Sequence, residues 1–505
     1  MTQTEEAAEA TSKRFVTSIT RQSEDFSAWY TDVVRKAELA DYSPVRGSMV
    51  IRPYGYAIWE NLRDALDGMI KATGHSNVYF PLFIPKSLLD KEAEHVEGFN
   101  PQVAWVTHAG GKKLDEPLAI RPTSEAIIAA TVKDWIQSYR DLPLLLNLWN
   151  NVVRWELRTR LFLRTAEFLW QEGHTFHATA DEAREEADRM LEVYRRLSEE
   201  WLAIPVLRGR KSAGERFPGA VDTLAIEALM KDRKALQAGT SHYLGDNFTR
   251  AEGIEFLDRD NTRKHPHGTS WGLSTRMVGA LVMAHGDDDG LLLPPKVAPY
   301  HAVIVPIAGR GGEGRGAVEE AVGRIEGEFA EGAGARMDDG ERVRVHVDRR
   351  DDVTPGAKYA HWELRGVPLR IEVGPRDVAA DQAVVVRRLD RAKETVSFGA
   401  LVSELPRRLE HYQRELFDRA VAFRDANTHR VDSYDEFKST LDEQGGFLLG
   451  HWCGDAACEK QINEETGATI RIVPFEGAVE GTMEEGRCLI DGGRSSQRVV
   501  FARAY

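Results

Sequence analysis

Apolar side chains recur at helical spacing in two stretches of the first 300 residues. Between Tyr56 and Thr73 they lie at positions i, i+4, i+8, i+11 and i+12, which are Ile58, Leu62, Leu66, Met69 and Ile70. Gly74 then stands where a helix commonly ends. Further on, Thr179 and Glu182 have the spacing of a capping box and precede a second stripe, which comprises Ala183, Ala187, Met190, Leu191, Tyr194, Leu197 and Trp201. Both patterns predict amphipathic helices whose stripes pack into a core.

Strand-like runs lie between and after these helices. The β-branched and aromatic run 78–85 predicts a strand that ends at its prolines. After Pro294-Pro295 strands alternate with helices, which predicts a small α/β domain with a partly parallel sheet. The strands are expected over 301–307, 343–347, 367–373 and 383–388, and the helices over 313–331 and 357–365. A charged helix over 409–427 and a cysteine-containing β-rich unit are expected to follow.

Length and composition narrow the picture. A chain of 505 residues is too long for one hydrophobic core, which predicts two to four domains. It has no run of 18 apolar residues, so no membrane span is expected. The first 15 residues are acidic and have no apolar segment, which predicts a short disordered leader and not a secretory signal. All three cysteines follow residue 450, which excludes a disulfide framework and favours the cytoplasm.

Two simple signals for nucleic-acid or nucleotide binding are weak. The net charge of −14 argues against a protein that coats nucleic acid, and by itself favours an acidic enzyme without such a partner. It leaves open an enzyme that binds a nucleic acid through a local basic face. The glycine-rich stretch 309–316 contains no GxxxxGK[ST] pattern, so we interpret it as a loop and not as a phosphate cradle.

Three clusters in the first 300 residues carry candidate chemistry. They are Arg121-Pro122-Thr123-Ser124-Glu125, the stretch from Arg154 to His174, and the stretch from Gly268 to Arg276. Planar arginine forks suit the charge that accumulates on a phosphate, while carboxylates and hydroxyls accept from an amino or imino group. Arg154 and Glu156 are two residues apart, so on one extended strand both would point to the same face. Each residue alone is more often a surface or core residue, and only the three clusters together indicate a site.

The wording of these clusters resembles one enzyme family. Class II prolyl-tRNA synthetases of the archaeal and eukaryotic type are closely similar to the phrases VRGSMVIRPYGYAIWENL, RPTSE, NVVRWE, FLRTAEFLWQEGHT, GTSHYLGDNF and SWGLSTR. Their anticodon-binding domain resembles RVHVDRRDDVTPGAKYAHWELRGVPLRIEVGPRD. The resemblance extends from about residue 14 to the C-terminus. It implies a proline–tRNA ligase that joins L-proline to tRNA(Pro) in two steps through prolyl-adenylate, with ATP as substrate and Mg²⁺ bridging its phosphates.

The resemblance also implies a fold class. We expect an α+β class II synthetase catalytic domain, with an antiparallel sheet and helices instead of a Rossmann fold. A small α/β anticodon-binding domain and an α+β C-terminal domain are expected to follow. The implied divisions are a leader and first helix (1–40), the catalytic domain with class II motifs 1, 2 and 3 (41–297), the anticodon-binding domain (298–408) and a zinc-binding-like domain (409–505). The family is dimeric through its first motif, so a homodimer is expected.

The implied site residues form three groups. The proline pocket would comprise Phe99, Thr123, Glu125, Arg154, Trp170, Glu172, His174 and His242. ATP would be held by Arg154, Glu156, Arg164, Gln237, Thr240, Ser274 and Arg276, of which Arg154 (at the α-phosphate) and Arg276 (near the γ-phosphate) would be catalytic. The candidates for reading anticodon bases are Lys358, Glu363, Arg387 and Arg388, with a solvated charged face as the alternative interpretation.

Four departures from the family pattern stand out. The segment 217–227 replaces acidic, aromatic and threonine residues of the family, which puts the shape of the pocket wall in question. Ala166 stands where the family usually has a second arginine, and the loop before it is about one residue short. Cys453, Cys458 and Cys488 keep three positions of the family's zinc site while Asp491 takes the fourth, so zinc binding is uncertain and a metal-free domain is the favoured interpretation. About 95 residues separate His174 from the third motif, which leaves no room for a built-in editing domain.

Three further interpretations concern the C-terminus and other functions. In relatives the C-terminal tyrosine reaches towards the catalytic domain, so the carboxylate of Tyr505 is a candidate functional group, with a frayed end as the default expectation. A sister class II enzyme for threonine, serine or glycine is disfavoured, because a zinc-held threonine site needs a cysteine in the catalytic block. A synthetase-like regulator that does not charge tRNA stays open because of the altered wall, although Arg154, Glu156 and Arg276 favour adenylation.

Overall fold

One sheet of eleven strands connects the first half of the chain to its last 80 residues. It is seen in a computed structural model that describes residues 19–95, 103–155, 158–331 and 335–505; the expected N-terminal leader lies outside them. From edge to edge the strands are Thr428–Arg430, Phe447–His451, Arg498–Ala502, Thr469–Pro474, Val206–Arg210, Asp222–Leu229, Ala235–Gly245, His267–Ser274, Glu167–His177, Leu144–Val153 and Ser76–Asn77.

Neighbouring strands in the interior of this sheet pair antiparallel, whereas the outermost pair at each edge is parallel. There Thr428–Arg430 pairs with Phe447–His451, and Ser76–Asn77 with Leu144–Val153. The antiparallel character expected of the catalytic domain is therefore confirmed. The strands Leu144–Val153 and Glu167–His177, which we call the pocket hairpin, pair over ten residues from Leu144↔Phe176 to Val153↔Glu167.

Helices cover one face of the sheet as their apolar stripes predict. The first runs over Pro53–Ala72, begins with a proline at a position where the missing N–H does no harm, and is followed by Gly74 at φ +93°. The second runs over Ala180–Arg196, and Thr179 and Glu182 form the expected capping box. Both stripes lie in the main core, where Met69 and Trp201 are only partly buried. Both helix predictions are confirmed.

The expected strand over 78–85 is wrong. Ser76–Asn77 joins the eleven-stranded sheet, while Phe83–Pro85 joins a separate three-stranded sheet with Lys112–Ile120 and Trp105–Ala109. Residues 78–82 between them belong to neither sheet, and Pro81 among them has no N–H to give to a ladder. Of the expected run only Phe83–Pro85 lies in a strand, because its aromatic and β-branched composition could not show where the chain changes sheets.

The second block is a five-stranded mixed sheet with helices on it. Its strands lie in the order Val345–Val347, Ala302–Pro306, Leu369–Val373, Gln382–Arg387 and Lys393–Ser397. The first three are parallel, the last two are antiparallel additions, and the helices Arg315–Glu331 and Pro355–Leu364 lie close to their expected positions. The small α/β domain is confirmed. The last strand was missed because it is a largely exposed edge with charged residues.

A long helix leads from this domain to the last one. It spans Phe398–Ala426, eleven residues longer at its start than expected, and contains Pro406 as a buried residue. Other helices are Phe26–Lys36, Lys86–His95, Glu125–Val132, Asn247–Glu252, Arg276–His285, Pro375–Ala379, Tyr434–Glu443 and Ala456–Thr466. Short two-stranded ribbons are Ala40–Tyr42 with Met49–Ile51, Phe256–Leu257 with Arg263–Lys264, and Gly486–Arg487 with Arg494–Ser495. Within the described residues, every helix is too short or too polar to cross a membrane.

Candidate active site

A cavity of about 340 Å³ opens on one face of the large sheet. Alternate residues of a strand share a face, so Trp170, Glu172 and His174 of the pocket hairpin all line it, as do Thr240 and His242 of the strand Ala235–Gly245. Further lining residues come from the strand His267–Ser274, the helix start at Arg276, and the loop 211–221, which we call the pocket loop. The volume lies in the range of small-molecule sites.

A buried pair of charged groups is part of the lining of this cavity. His174 Nε2 lies 3.0 Å from Glu172 Oε2, and both side chains are almost fully buried. Burial raises the pKa of the Glu172 carboxyl, but the hydrogen bonds and charge of His174 outweigh it and leave the pKa below its ordinary value. Burial likewise lowers the pKa of His174, but its contact with Glu172 outweighs this and raises the pKa above 6.5. Between these two pKa values the pair is an imidazolium and a carboxylate.

Asn150 holds two of the lining residues in place. Its Nδ2 donates to Glu172 Oε1 at 2.7 Å, and its Oδ1 accepts from Trp170 Nε1 at 2.5 Å. Ser124 Oγ donates to the same Glu172 oxygen. The amide can reach both partners because Asn150 lies directly opposite Trp170 in the hairpin register. The orientation of the Trp170 ring and of the Glu172 carboxylate is thus fixed before any ligand enters.

Thr123 and Glu125 add acceptors beside this pair. The Thr123 hydroxyl donates to Glu125 Oε2, which leaves the lone pairs of the hydroxyl oxygen available to an N–H group. Glu125 begins the helix Glu125–Val132, where a carboxylate is favoured by the helix dipole. Both residues are buried and line the cavity, so they suit a cationic amino or imino group.

Arginines also line the cavity. Arg154 Nε donates to the Pro122 carbonyl at 3.0 Å, and its guanidinium lies over the rings of Phe168 and Trp170 at 5.6 and 5.4 Å. Arg276 Nε donates to the Leu163 carbonyl at 3.2 Å. Burial, with the positive charges of Arg154 and Arg164, lowers the pKa of Arg276 to about 10. Cations held this close together create a site for a multiply charged anion.

The pocket loop closes the side of the cavity next to His242. Phe217 lies against the His242 ring with 4.7 Å between centroids, and Thr223 Oγ1 lies 3.0 Å from His242 Nδ1. The Phe217 N–H donates to the same hydroxyl at 3.1 Å. Burial, together with the charge on His174, lowers the pKa of His242 to about 3, so its ring is neutral. Glu215, Arg216 and Pro218 line the cavity on the same loop.

Most of the expected site residues meet in this cavity. Its lining includes Thr123, Glu125, Arg154, Trp170, Glu172, His174, Gln237, Thr240, His242, Ser274 and Arg276. Arg164 is outside the lining, although its charge acts on Arg276, and Phe99 and Glu156 lie outside the described residues. The strand ends at Val153, so Arg154 follows the strand instead of lying in it, contrary to the expectation of one extended strand. Its position is set by the bonds from Arg154 N to the Ala166 carbonyl and from Arg154 Nε to the Pro122 carbonyl.

Some site residues were missed from the sequence. They are Ser124, Asn150, Phe168, Phe217, Thr223 and Ser270, all of which line the cavity or bond to a lining residue. Ser124 lies inside a cluster that we had singled out, so its neighbours were a usable signal. Thr223 lies in the segment flagged as a departure from the family pattern, and there it supports the wall.

The four anticodon candidates are held by contacts within the protein. Arg388 is buried, and its guanidinium donates to both carboxylate oxygens of Asp287 at 2.6 and 2.9 Å. Lys358 is buried too and donates to the Asp348 carbonyl at 2.8 Å. Arg387 pairs with Glu415, and Glu363 with Arg370. These contacts favour a structural role for Lys358 and Arg388.

The expected metal-ligand residues form a cluster in the last domain. Donor atoms of Cys453, Cys458, Cys488 and Asp491 all lie within 4.8 Å of one another. Cys453 Sγ lies 3.7 Å from Cys458 Sγ and 3.6 Å from Asp491 Oδ2. A tetrahedral zinc with bonds of about 2.3 Å to sulfur and 2.1 Å to oxygen requires about 3.8 and 3.6 Å for these two edges. These two edges therefore have the lengths that a zinc ion between the residues would require.

Tyr505 is attached to the rest of the protein. Its hydroxyl donates to Asp232 Oδ2 at 2.5 Å, and its N–H donates to the Ala235 carbonyl at 3.2 Å. The Arg160 guanidinium lies 5.5 Å from the centre of its ring. These contacts argue against the frayed end that is the default expectation for a terminus.

Three family models match the chain in succession. Residues 105–285 match the tRNA synthetase class II core domain (G, H, P, S and T), residues 301–408 match an anticodon binding domain, and residues 434–505 match the prolyl-tRNA synthetase C-terminal domain. The order is the one expected from the sequence.

Curated relatives and solved structures are similar over nearly the whole chain. A proline–tRNA ligase of Rubrobacter xylanophilus is 54% identical over 490 residues, which are 97% of this chain and 99% of the relative. Proline–tRNA ligase 2 of Clostridioides difficile is 50% identical over 493 residues, 98% and 99% of the two chains. Two crystal structures of prolyl-tRNA synthetase from Cryptosporidium parvum, one with halofuginone and AMPPNP and one with L-proline and AMP, are 38% identical. Each aligns with a TM-score of 0.89 and covers 97% of this chain. The alignment includes 100% of the first structure's chain and 97% of the second's.

Proposed function

This chain belongs to the class II prolyl-tRNA synthetases and is a proline–tRNA ligase, and on that premise we propose that its cavity has two ends, which hold the two substrates. The arginine end, with Arg154 and Arg276, binds the phosphates of ATP. The end with the Glu172–His174 pair binds proline. The observation that carries this assignment is that Arg154, Arg276 and the buried pair all line one cavity.

Proline fits the end to which we assign it. The ring is apolar on its faces and needs a shaped wall, which Trp170, Phe217 and the neutral His242 provide. Its cationic imino group needs acceptors, and Thr123 and Glu125 supply them. The Glu172–His174 pair adds no net charge and keeps the wall rigid.

The reaction then proceeds by positioning and charge stabilisation. In the first step a proline carboxylate oxygen attacks the α-phosphorus of ATP, the bond to the β-phosphate bridging oxygen breaks, and pyrophosphate leaves. Arg154 binds the α-phosphate as charge accumulates there, while Arg276 binds near the γ-phosphate. In the second step a hydroxyl of the terminal adenosine of tRNA attacks the prolyl carbonyl and AMP leaves. Mg²⁺, when bound to ATP, would neutralise part of the phosphate charge.

The remaining ATP contacts are assigned to the neighbouring strands. Gln237 and Thr240 line the cavity from one strand and Ser274 from the next, where its hydroxyl accepts from Arg276 N at 3.2 Å. Arg164 and Glu156 complete the proposed ATP group, and Phe99 the proline group. Lys358, Glu363, Arg387 and Arg388 stay the candidates near the anticodon, with direct base contact favoured for Arg387 and Glu363 because they are less buried than Lys358 and Arg388.

Zinc is proposed as a resident ion of the last domain. Support comes from the two tetrahedral edge lengths in the cluster of Cys453, Cys458, Cys488 and Asp491. When bound, the ion would crosslink residues that are 38 positions apart at the furthest. Its role would be structural, because four protein ligands leave no open position.

Four further properties are proposed for this enzyme. It has no editing domain. In support, the described strands and helices between the pocket hairpin and His267 belong to the catalytic core. It is of the archaeal and eukaryotic type, supported by that spacing and by the similarity to a eukaryotic structure. It works in the cytoplasm. It is a homodimer, supported by exposed aromatic side chains beside the first motif helix, namely Tyr56, Tyr79 and Phe83.

The domain divisions at 40/41, 297/298 and 408/409 are part of the proposal. Each of the three family matches falls inside one of the resulting segments. The long helix Phe398–Ala426 crosses the last division, so the boundary lies within a continuous helix and not in a linker.

Pyrophosphate exchange by the purified protein tests the substrate assignment. ATP should be resynthesised from labelled pyrophosphate when proline is present. Alanine should support much weaker exchange, and threonine none. Exchange that depends on threonine alone would contradict the proline assignment, and an absence of exchange with all three would favour the regulator that does not charge tRNA.

A further inference from the structure

The pocket loop begins with two residues that are bonded to the last domain. Lys211 Nζ donates to the Arg471 carbonyl at 2.9 Å, and Ser212 Oγ donates to Glu459 Oε1 at 2.5 Å. Ser212 and Glu459 are 247 positions apart in the chain. A side chain added at Gly214 would come within 3.4 Å of the Glu459 carboxylate, so the loop backbone lies directly against it.

The first of these attachments is rigid. Glu227, which is fully buried, accepts from Lys211 Nζ at 2.7 Å and from Arg471 at 3.0 and 3.2 Å. Lys211 and Arg471 are themselves buried. Three charged groups that satisfy one another in the interior have little freedom to move, because any separation leaves a buried charge without its partner. Lys211 is therefore a fixed starting point for the loop.

The second attachment controls the part of the loop that lines the cavity. The Ser212 carbonyl accepts from the Glu215 N–H at 3.2 Å and so sets the turn that leads to Glu215, Arg216, Phe217 and Pro218. Phe217 in turn packs on His242. A shift of Ser212 would thus displace this turn and, with it, the cavity wall that we assign to proline.

We propose that Glu459 of the last domain is a positioning residue for the proline pocket, acting through the Ser212 hydroxyl; this inference rests on the proposed function of the cavity. Glu459 touches no substrate. It holds the turn after Ser212 so that Phe217 and His242 keep their contact. The last domain is accordingly part of the proline-binding apparatus as well as a neighbour of the catalytic domain.

A purely structural contact would behave differently. The last domain also joins the catalytic sheet through the backbone pairs Val473↔Arg210 and Pro474↔Gly209, which no side-chain change at Glu459 removes. Lower stability reduces the amount of active enzyme and therefore the apparent kcat, while KM stays the same. A displaced pocket wall raises KM for proline and leaves KM for ATP near its original value.

Four variants separate these outcomes in proline-dependent pyrophosphate exchange. Ser212→Ala and Glu459→Ala each delete the contact, their double variant tests whether they act through one bond, and Glu459→Gln keeps an acceptor oxygen for Ser212. Glu465→Ala is the matched control, because it lies on the same helix but bonds to Tyr434 within the last domain. Thermal denaturation of each variant gives its stability.

The expected results follow from the loss of one hydrogen bond. Ser212→Ala and Glu459→Ala should raise KM for proline by about fivefold or more, with kcat and KM for ATP within about twofold, and the double variant should be no worse than the poorer single one. Glu459→Gln should restore most of the loss, and Glu465→Ala should have no effect on KM. Unchanged KM for proline in both alanine variants overturns the proposal. Failure of the wild-type protein to exchange at all would instead overturn the proposed function.

Discussion

Glu172 and His174 form a buried ion pair on one face of a single strand, with 3.0 Å between Oε2 and Nε2. Two residues separated by one position share a face, so the pair needs no tertiary adjustment beyond the strand itself. Asn150 and Ser124 complete the bonds of the carboxylate. The charge state of this pair gives the first prediction.

The dependence of proline use on pH should reveal His174. The pKa of His174 is raised above 6.5 and that of Glu172 is lowered below 4.5, so the pair is fully charged between these two pKa values. Its contribution is lost as pH rises through the pKa of His174, and again as pH falls through that of Glu172. We expect kcat/KM for proline to fall on the alkaline side with an apparent pKa above 6.5. His174→Gln should lack this decline, and the same alkaline decline in both proteins would contradict the assignment.

Asn150 should be as important for proline binding as the residues that contact proline. Asn150→Ala leaves Trp170 Nε1 and one Glu172 oxygen with a lost partner, which costs about 1–3 kcal/mol for buried groups and corresponds to roughly 5- to 150-fold in KM for proline. Asn150→Asp should do more harm, since it places a second carboxylate against Glu172. Asn61→Ala is the control, because Asn61 bonds to Val297 and Ala298 outside the cavity. Steady-state exchange kinetics measure the effect.

Arg154 should tolerate no replacement by lysine. Its guanidinium donates to the Pro122 carbonyl while lying over two aromatic rings, a combination that a lysine ammonium cannot reproduce. We expect Arg154→Lys to lower kcat of pyrophosphate exchange by about 10²- to 10³-fold, the usual effect of removing one group that stabilises transition-state charge. Arg158→Lys, at an exposed position four residues later, should stay within about threefold. Equal losses in both variants would contradict this role, because they would show that Arg154 matters no more than an exposed arginine of the loop that follows it.

The last domain should contain one zinc ion per chain. Elemental analysis of purified protein would measure it, and Cys458→Ser should reduce the zinc content and the thermal stability together. Asp491→Cys should slow the removal of zinc by a chelator, since a fourth thiolate, which is a softer ligand, replaces a carboxylate. Wild-type protein that is stable, active and free of zinc would contradict this prediction, because the four residues would then hold the domain together without metal.

Arg388 should matter for stability more than for the choice of tRNA. Removing it leaves Asp287 without its bidentate partner, and we expect Arg388→Ala to lower the free energy of unfolding by roughly 2–3 kcal/mol. The figure is below that of a fully buried pair because the Asp287 side chain is 35% exposed. Arg391→Ala removes the neighbouring exposed pair with Asp289 and should cost less than about 1 kcal/mol. Urea denaturation compares the two, and a similar loss in both would contradict the interpretation.

Local patterns in the sequence predicted the parts of the fold that local physics determines. The capping box at Thr179 and the apolar stripe behind it specify a helix and its buried face. The alternation of Trp170, Glu172 and His174 is compatible with one strand face for the same reason. Residues within a few positions of each other supplied all the information needed in these cases.

Other features depended on contacts that sequence spacing does not encode. The role of Asn150 follows from the hairpin register, which places it opposite Trp170. The burial of Arg388 follows from its contact with Asp287, 101 positions earlier. The break in the expected strand at Pro81 depended on a second sheet that only the folded chain provides. The anticodon candidates were therefore harder to judge than the catalytic ones.

The order of strands in the large sheet has a consequence for synthesis of the protein. The strand Val206–Arg210 pairs on one side with Asp222–Leu229, which follows it at once, but on the other side with Thr469–Pro474. At about 5–20 residues per second, roughly 10–50 seconds pass on the ribosome before that second partner is made. During this time the nascent chain presents an open strand edge beside the pocket loop, a surface prone to wrong pairing. Ribosomes that stall within the last domain should therefore produce chains that aggregate instead of partly active enzymes.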